Sequence, residues 1–137
     1  MKQEFSLDEI QEVAKSLLDQ SPKNKIYLFE GPLGAGKTTL IKALCRQLGI
    51  NHDMSSPSFG IINAYLGDGA AVYHFDLYRL QDPMEAFDLG IEEYLSSGKY
   101  CFIEWPQIAM DIFKSFAFKT VKLEIIDKEK RSIFVEE

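Results

Sequence analysis

Residues 31–38 read Gly31-Pro32-Leu33-Gly34-Ala35-Gly36-Lys37-Thr38. Lys25-Ile26-Tyr27-Leu28-Phe29-Glu30 stands immediately before them, and helix formers run from Lys37 to Leu48 after them. The preceding stretch is short, apolar and β-prone, which predicts a buried strand. Gly49 is a natural helix stop. The octapeptide satisfies G-x-x-x-x-G-K-[ST], and it lies between a strand and a helix, the context that this motif requires. Its glycines let the backbone curl so that successive N–H groups point at phosphate oxygens. The helix that begins there aims its positive end at the same anions. Lys37 supplies a mobile ammonium for β- and γ-phosphates, and the Thr38 hydroxyl suits a magnesium ion bridging them. A plain structural turn calls for neither Lys nor Thr at those places. The reaction stays open, because kinases, GTPases, ATPases and nucleotide sensors all use such a cradle.

Outward from the loop, helices and strands alternate. Ser6-Leu7-Asp8-Glu9 is a capping box, followed by Leu7, Ile10, Val13, Ala14, Leu17 and Leu18 at helical spacing. A first helix is therefore predicted to about Gln20, stopped by Ser21-Pro22. Residues 50–58 read as irregular. Phe59–Leu66 and Ala71–Asp76 flank Gly67-Asp68-Gly69, a hairpin signal. Asp82-Pro83 starts a helix that Gly90 interrupts, and a second helical piece ends at Ser97-Gly98. Tyr100–Glu104 is another apolar strand, residues 107–115 read as helical or irregular, and Phe118–Ile126 with Ser132–Val135 form a last hairpin. The expected class is α/β, a mixed, mostly parallel sheet flanked by helices, with β-hairpins, in one domain over residues 1–137.

Composition excludes several functions. With 15 Lys+Arg against 21 Asp+Glu the net charge is −6, a poor balance for stand-alone nucleic-acid binding. No window approaches the ~20 apolar residues of a membrane span. The N-terminus lacks the layout of a signal peptide, so a cytoplasmic protein is expected. Cys45 and Cys101 are isolated, which predicts buried reduced thiols rather than a zinc or redox site. His52 reads as a loop residue and His74 as a packed strand residue rather than a catalytic base.

A phosphate loop needs a second group to hold magnesium and one to orient the attacking nucleophile, both at strand ends near the loop. Val72-Tyr73-His74-Phe75 ends at Asp76, and Tyr100-Cys101-Phe102-Ile103 ends at Glu104. Glu104 is assigned to magnesium, directly or through water, and Asp76 to water positioning or support. The sequence leaves the order of the two open. Ser56-Pro57-Ser58 sits where nucleotide switches offer a hydroxyl. Glu30 is either a structural strand end or a supporting contact. Arg79, one of three arginines with Arg46 and Arg131, reads as structural or partner-facing rather than as an arginine finger.

Five stretches taken together resemble the TsaE family, small ATPases of bacterial tRNA threonylcarbamoyladenosine biosynthesis. They are residues 31–39, Ser56-Pro57-Ser58-Phe59, His74-Phe75-Asp76-Leu77-Tyr78-Arg79-Leu80, Gly90-Ile91-Glu92-Glu93-Tyr94 and Ile103-Glu104-Trp105-Pro106. The loop is common to many families, whereas HFDLYRL and IEWP are particular. The resemblance implies an ATP cradle from Gly31, Gly34, Ala35, Gly36, Lys37, Thr38 and Thr39. It implies Thr38 and Glu104 on Mg2+, with Lys37, Asp76 and Glu104 required for hydrolysis. Ser58 would belong to the switch segment, and Trp105 would lie beside the nucleotide. It implies partners TsaD and TsaB, contact with tRNA only through that complex, and a hydrolase that supplies a nucleotide-driven conformational step between turnovers without transferring the carbamoyl group. Ser58 replaces the family's usual Thr. Pro32 stands where Asp is frequent and removes one backbone donor.

A small kinase acting on a metabolite is the alternative, but it would usually carry an arginine-bearing lid. A GTP switch would need Asn-Lys-x-Asp after the loop, and Asn24-Lys25 lies before it. A nucleotide-binding module without turnover is the third reading.

Overall fold

The strand read before the phosphate loop becomes the centre of a sheet. The computed structural model describes residues 1–20, 22–51, 61–67 and 69–137. Its strands are β1 (Lys2–Ser6), β2 (Ile26–Glu30), β3 (Ile62–Gly67), β4 (Ala70–Asp76), β5 (Tyr100–Glu104), β6 (Lys119–Ile125) and β7 (Lys130–Glu136). They form one sheet in the order β1-β7-β6-β2-β5-β4-β3. β6, β2, β5 and β4 run parallel, while β3 on β4, β7 on β6 and β1 on β7 are antiparallel. Five of the seven strands thus share one direction, as the expected class requires.

Alternation along β2 divides the core. Tyr27 and Phe29 face one side with helices α1 (Ile10–Asp19) and α2 (Lys37–Gln47). Ile26 and Leu28 face the other with α3 (Pro83–Asp88), α4 (Ile91–Leu95) and α5 (Met110–Phe113). A strand covered on both faces must be apolar at nearly every position, which is why IYLF has no polar break. Among the described residues no helix is long and apolar enough to cross a membrane.

Most expected elements are present. Asp82 caps α3 by accepting from the Met84 N–H at 2.8 Å, with Pro83 in the first turn. Gly90 separates α3 from α4 at φ 73°. Cys45 and Cys101 are free, buried thiols, both pushed up to about 12 by burial. Residues 107–115 contain part of a 3-10 turn, Pro106–Ala109, and α5. Ser21, the Asp68 turn residue, His52 and the Ser56-Pro57-Ser58 segment lie outside the described residues.

Two differences have physical causes. The Ser6 N–H does donate to the Glu9 carboxylate at 2.9 Å, but the first turn, Leu7–Glu9, is 3-10 and α1 begins at Ile10. Ahead of it lies β1, unforeseen because only Phe5 of its five residues is buried. An edge strand with a wet face carries little apolar pattern, and β1 exists through its pairing with β7 at the far end of the chain.

Lys119, at the start of β6, is fully buried. Its ammonium donates to the Leu17 carbonyl at 3.1 Å, to the Gln20 carbonyl and to the Tyr27 hydroxyl at 3.3 Å. It satisfies the terminal carbonyls of α1 that the helix cannot satisfy itself. Burial holds its pKa below the usual lysine range.

Candidate functional site

Parallel pairing sets the site. Asp76 at the end of β4 pairs in register with Glu104 at the end of β5, and Glu104 pairs with Phe29 of β2. Paired residues on neighbouring strands lie roughly 5 Å apart and share a face. Both carboxylates therefore emerge at the sheet end where β2 turns into the phosphate loop, on the face covered by α2. A cleft of about 310 Å³ opens there. From the loop and helix it is lined by Leu33, Gly34, Gly36, Lys37, Thr38 and Thr39, and from the strand ends by Asp76, Tyr78, Glu104 and Trp105.

The loop is shaped by what surrounds it. Gly31 has φ 153°, and a Cβ there would sit 2.6 Å from the Leu123 carbonyl oxygen of β6. No side chain fits so close to a backbone atom. Gly36 caps α2 at φ 98°, in the left-handed region. Gly31 and Ala35 are not among the cleft-lining residues: the Gly31 carbonyl accepts from the Lys37 ammonium, and Ala35 is buried in the core.

Within the cleft, Thr38 Oγ1 donates to the Glu104 carboxylate, 3.0 Å from Oε1 and 3.1 Å from Oε2. Lys37 Nζ lies 3.5 Å from the centroid of the Trp105 ring. Such an ammonium on an indole face is attracted by the ring quadrupole. Desolvation holds the Lys37 pKa below its usual range, against the opposing pull of Glu104 and then Asp76. Trp105 adopts φ 57°, alone in positive φ among the described non-glycine residues. Its ring also packs on Tyr78, centroids 4.8 Å apart. Asp76 accepts from the Tyr78 N–H at 3.1 Å, an Asx turn that aims the chain back past Trp105.

The oxygen atoms that could hold a cation here are hard: the Thr38 hydroxyl and the Glu104 and Asp76 carboxylates. Among the described residues no three His, Cys, Asp or Glu side chains gather into a metal cage. A hydroxyl and one or two carboxylates beside a phosphate cradle fit magnesium, which keeps waters and takes phosphate oxygens for the rest.

A sequence model of the family described as "Threonylcarbamoyl adenosine biosynthesis protein TsaE" matches residues 5–133. The chain belongs to the TsaE family. It is similar to the tRNA threonylcarbamoyladenosine biosynthesis protein TsaE of Rickettsia conorii, 38% identical over 130 residues, 92% of this chain and 71% of that protein. It is also similar to the protein of that name from Bacillus subtilis, 37% identical over 101 residues, 74% of this chain and 63% of that one. The crystal structure of Bacillus subtilis YdiB superposes with a TM-score of 0.72 at 25% identity, covering 98% of this chain and 84% of that one.

In this TsaE-family chain, Lys37, Thr38, Asp76, Glu104 and Trp105 line one cleft, with Gly34, Gly36 and Thr39 around them. Glu30 pairs with Lys122 at 4.0 Å, a structural strand end rather than a contact in the cleft. Arg79 is exposed. The contacts of Arg131 and His74 escaped sequence reasoning. Arg131 Nη2 of β7 donates to the Gly34 carbonyl of the loop at 3.3 Å. His74 Nε2 lies 2.6 Å from Glu104 Oε2, and its Nδ1 lies 3.1 Å from the Tyr65 hydroxyl. The packed strand histidine is as expected, but its partner was not. The sequence signals are its position two residues before Asp76, on the same face of β4, and its place at the head of the HFDLYRL stretch.

Proposed function

We propose that this chain is a magnesium-dependent ATPase domain that acts in the cytoplasm in threonylcarbamoyladenosine modification of tRNA, driving a conformational step of a TsaD–TsaB pair. The observation that supports it best is the Thr38–Glu104 contact at the mouth of the phosphate loop, with Lys37 and Asp76 in the same cleft. Family membership supplies the pathway, since the relatives carry that role in their names.

In this reading the loop amides and the start of α2 bind the triphosphate. The Lys37 ammonium exchanges a neutral carbonyl and an aromatic face for charged phosphate oxygens, a stronger partner. Thr38 and Glu104 would hold a magnesium ion, and Asp76 would orient the attacking water. Magnesium, when bound, would supply positive charge against the phosphate oxygens. Trp105 and Tyr78 wall the cleft and limit water. Ser58 is assigned to the switch segment. Among the described residues no arginine lines the cleft. An arginine on the transferring phosphate is worth about 10³–10⁵ in rate, so turnover is slow until the partners bind. With a net charge of −6, tRNA is met through the complex rather than by the isolated chain.

The test is ATP turnover by the purified chain, alone and with TsaD–TsaB. Slow turnover that the pair accelerates supports the reading. Phosphorylation of a metabolite without partners favours a kinase, and no hydrolysis with the pair present leaves a binding module.

A further inference from the structure

The polar contacts at Glu104 do not end in the cleft. Glu104 is 4% exposed and His74 is 1% exposed. His74 pairs with Phe102 across β4 and β5, which places Glu104 diagonally two residues on and on the same face. Tyr65 of β3 pairs with Val72, so it is in turn diagonal to His74. Tyr65, His74, Glu104 and Thr38 thus form one hydrogen-bonded line across β3, β4, β5 and the start of α2.

We infer that His74 is a positioning residue for this site: its Nε2–H holds the Glu104 carboxylate in the orientation that meets Thr38 and the divalent cation. The inference rests on the proposed reading of the cleft. Ionised carboxylates only accept hydrogen bonds, so the hydrogen in the 2.6 Å contact belongs to Nε2. In the neutral ring Nδ1 is then the acceptor, and the Tyr65 O–H donates to it, which fixes the tautomer. A carboxylate on a three-bond stem otherwise samples several rotamers. Bonded on one oxygen to a buried ring, it is held in place before any ligand arrives. A histidine needed only to fill the core has no reason to present both nitrogens to polar partners, since an apolar side chain of similar size fills the same space without the need for them. Partners of metal-binding side chains that orient them in this way typically alter metal affinity by about 10–100-fold when removed.

The test uses the full chain with ADP and Mn2+ as probes. Nucleotide affinity is measured in EDTA, and the Mn2+ dissociation constant is measured by spin-resonance titration at saturating ADP. His74→Phe keeps a ring and removes the donor; His74→Gln keeps an N–H near the position of Nε2; Tyr65→Phe removes the hydroxyl behind the ring. The expected result for His74→Phe is Mn2+ affinity weakened by about 10–100-fold, with metal-free ADP affinity unchanged. Rescue toward wild type is expected in His74→Gln and a smaller loss in Tyr65→Phe. Wild-type Mn2+ affinity in His74→Phe overturns the inference, as does equal loss of metal-free ADP affinity in all three variants. If His74→Phe does not fold, long-range nitrogen–proton spectra of the wild-type chain decide the point. Hydrogen on Nε2 with Nδ1 bare supports the inference, and the reverse overturns it. Failure of the wild-type chain to bind ADP at all overturns the reading of the cleft itself, an outcome distinct from the others.

Discussion

The Thr38 hydroxyl stands 3.0 Å from the Glu104 carboxylate although 66 residues separate them in the chain. The contact follows from sheet order. β5 lies beside β2, and the loop that leaves the end of β2 leads into α2, so the end of β5 faces the first turn of α2.

Glu104→Gln keeps the side chain's size and an oxygen for the Thr38 hydroxyl but removes the charge. Turnover in the presence of TsaD–TsaB should fall by about 100-fold or more, since a correctly held metal contributes several kcal/mol to the transition state. Urea unfolding should change little by comparison. Normal turnover in this variant would remove Glu104 from the metal site.

Trp105 sits at φ 57°, where a side chain costs about 1–2 kcal/mol. Glycine bears no such cost there. Trp105→Gly should therefore be more stable than Trp105→Ala by about 1 kcal/mol, the reverse of the order at an ordinary position. Both should lose the Lys37 contact, and denaturant unfolding of the two variants side by side reads the difference.

Gly31→Ala places a methyl 2.6 Å from the Leu123 carbonyl oxygen. The backbone there has to shift, and with it the loop. We expect a loss of about 1–3 kcal/mol in stability together with weakened nucleotide binding, measured by urea unfolding and by titration with ATP.

Alkaline pH tests the buried thiols. Cys45 and Cys101 are both raised to about 12 from 9.0. In the unfolded chain the thiols lose protons first, so the folded state binds more protons between those values and stability falls as pH rises. The contribution is complete below about 9 and is lost progressively toward 12. In urea unfolding at successive pH values above 8, the Cys45→Ala/Cys101→Ala double variant should lose stability less steeply than wild type.

How much of this was legible depends on how local the cause is. Residues 31–38 declare a glycine-rich turn from strand to helix because each residue acts on its own neighbours. The Asp82-Pro83 start of α3 was readable for the same reason, as a cap beside a proline. Asp76 and Glu104 could be picked out because each closes an apolar run. That they meet depends on β4 and β5 being adjacent, and strand order is not written in either strand. His74 against Glu104, Arg131 against Gly34 and Lys119 on the end of α1 are contacts between residues 30, 97 and 102 positions apart. No spacing rule joins them. β1 was missed for a related reason: with one buried residue in five, it is defined by its partner rather than by its own pattern.

The most direct measurement is the shift in unfolding free energy produced by ATP and magnesium in the wild-type chain and in Lys37→Ala. At 100 times its dissociation constant a ligand that binds only the folded state stabilises it by about 2.7 kcal/mol. The account predicts that shift in the wild type, its loss on withdrawing magnesium or substituting Lys37, and no equal response to GTP. A wild-type chain that ATP and magnesium leave unchanged, or a Lys37→Ala chain that they stabilise just as much, would contradict it.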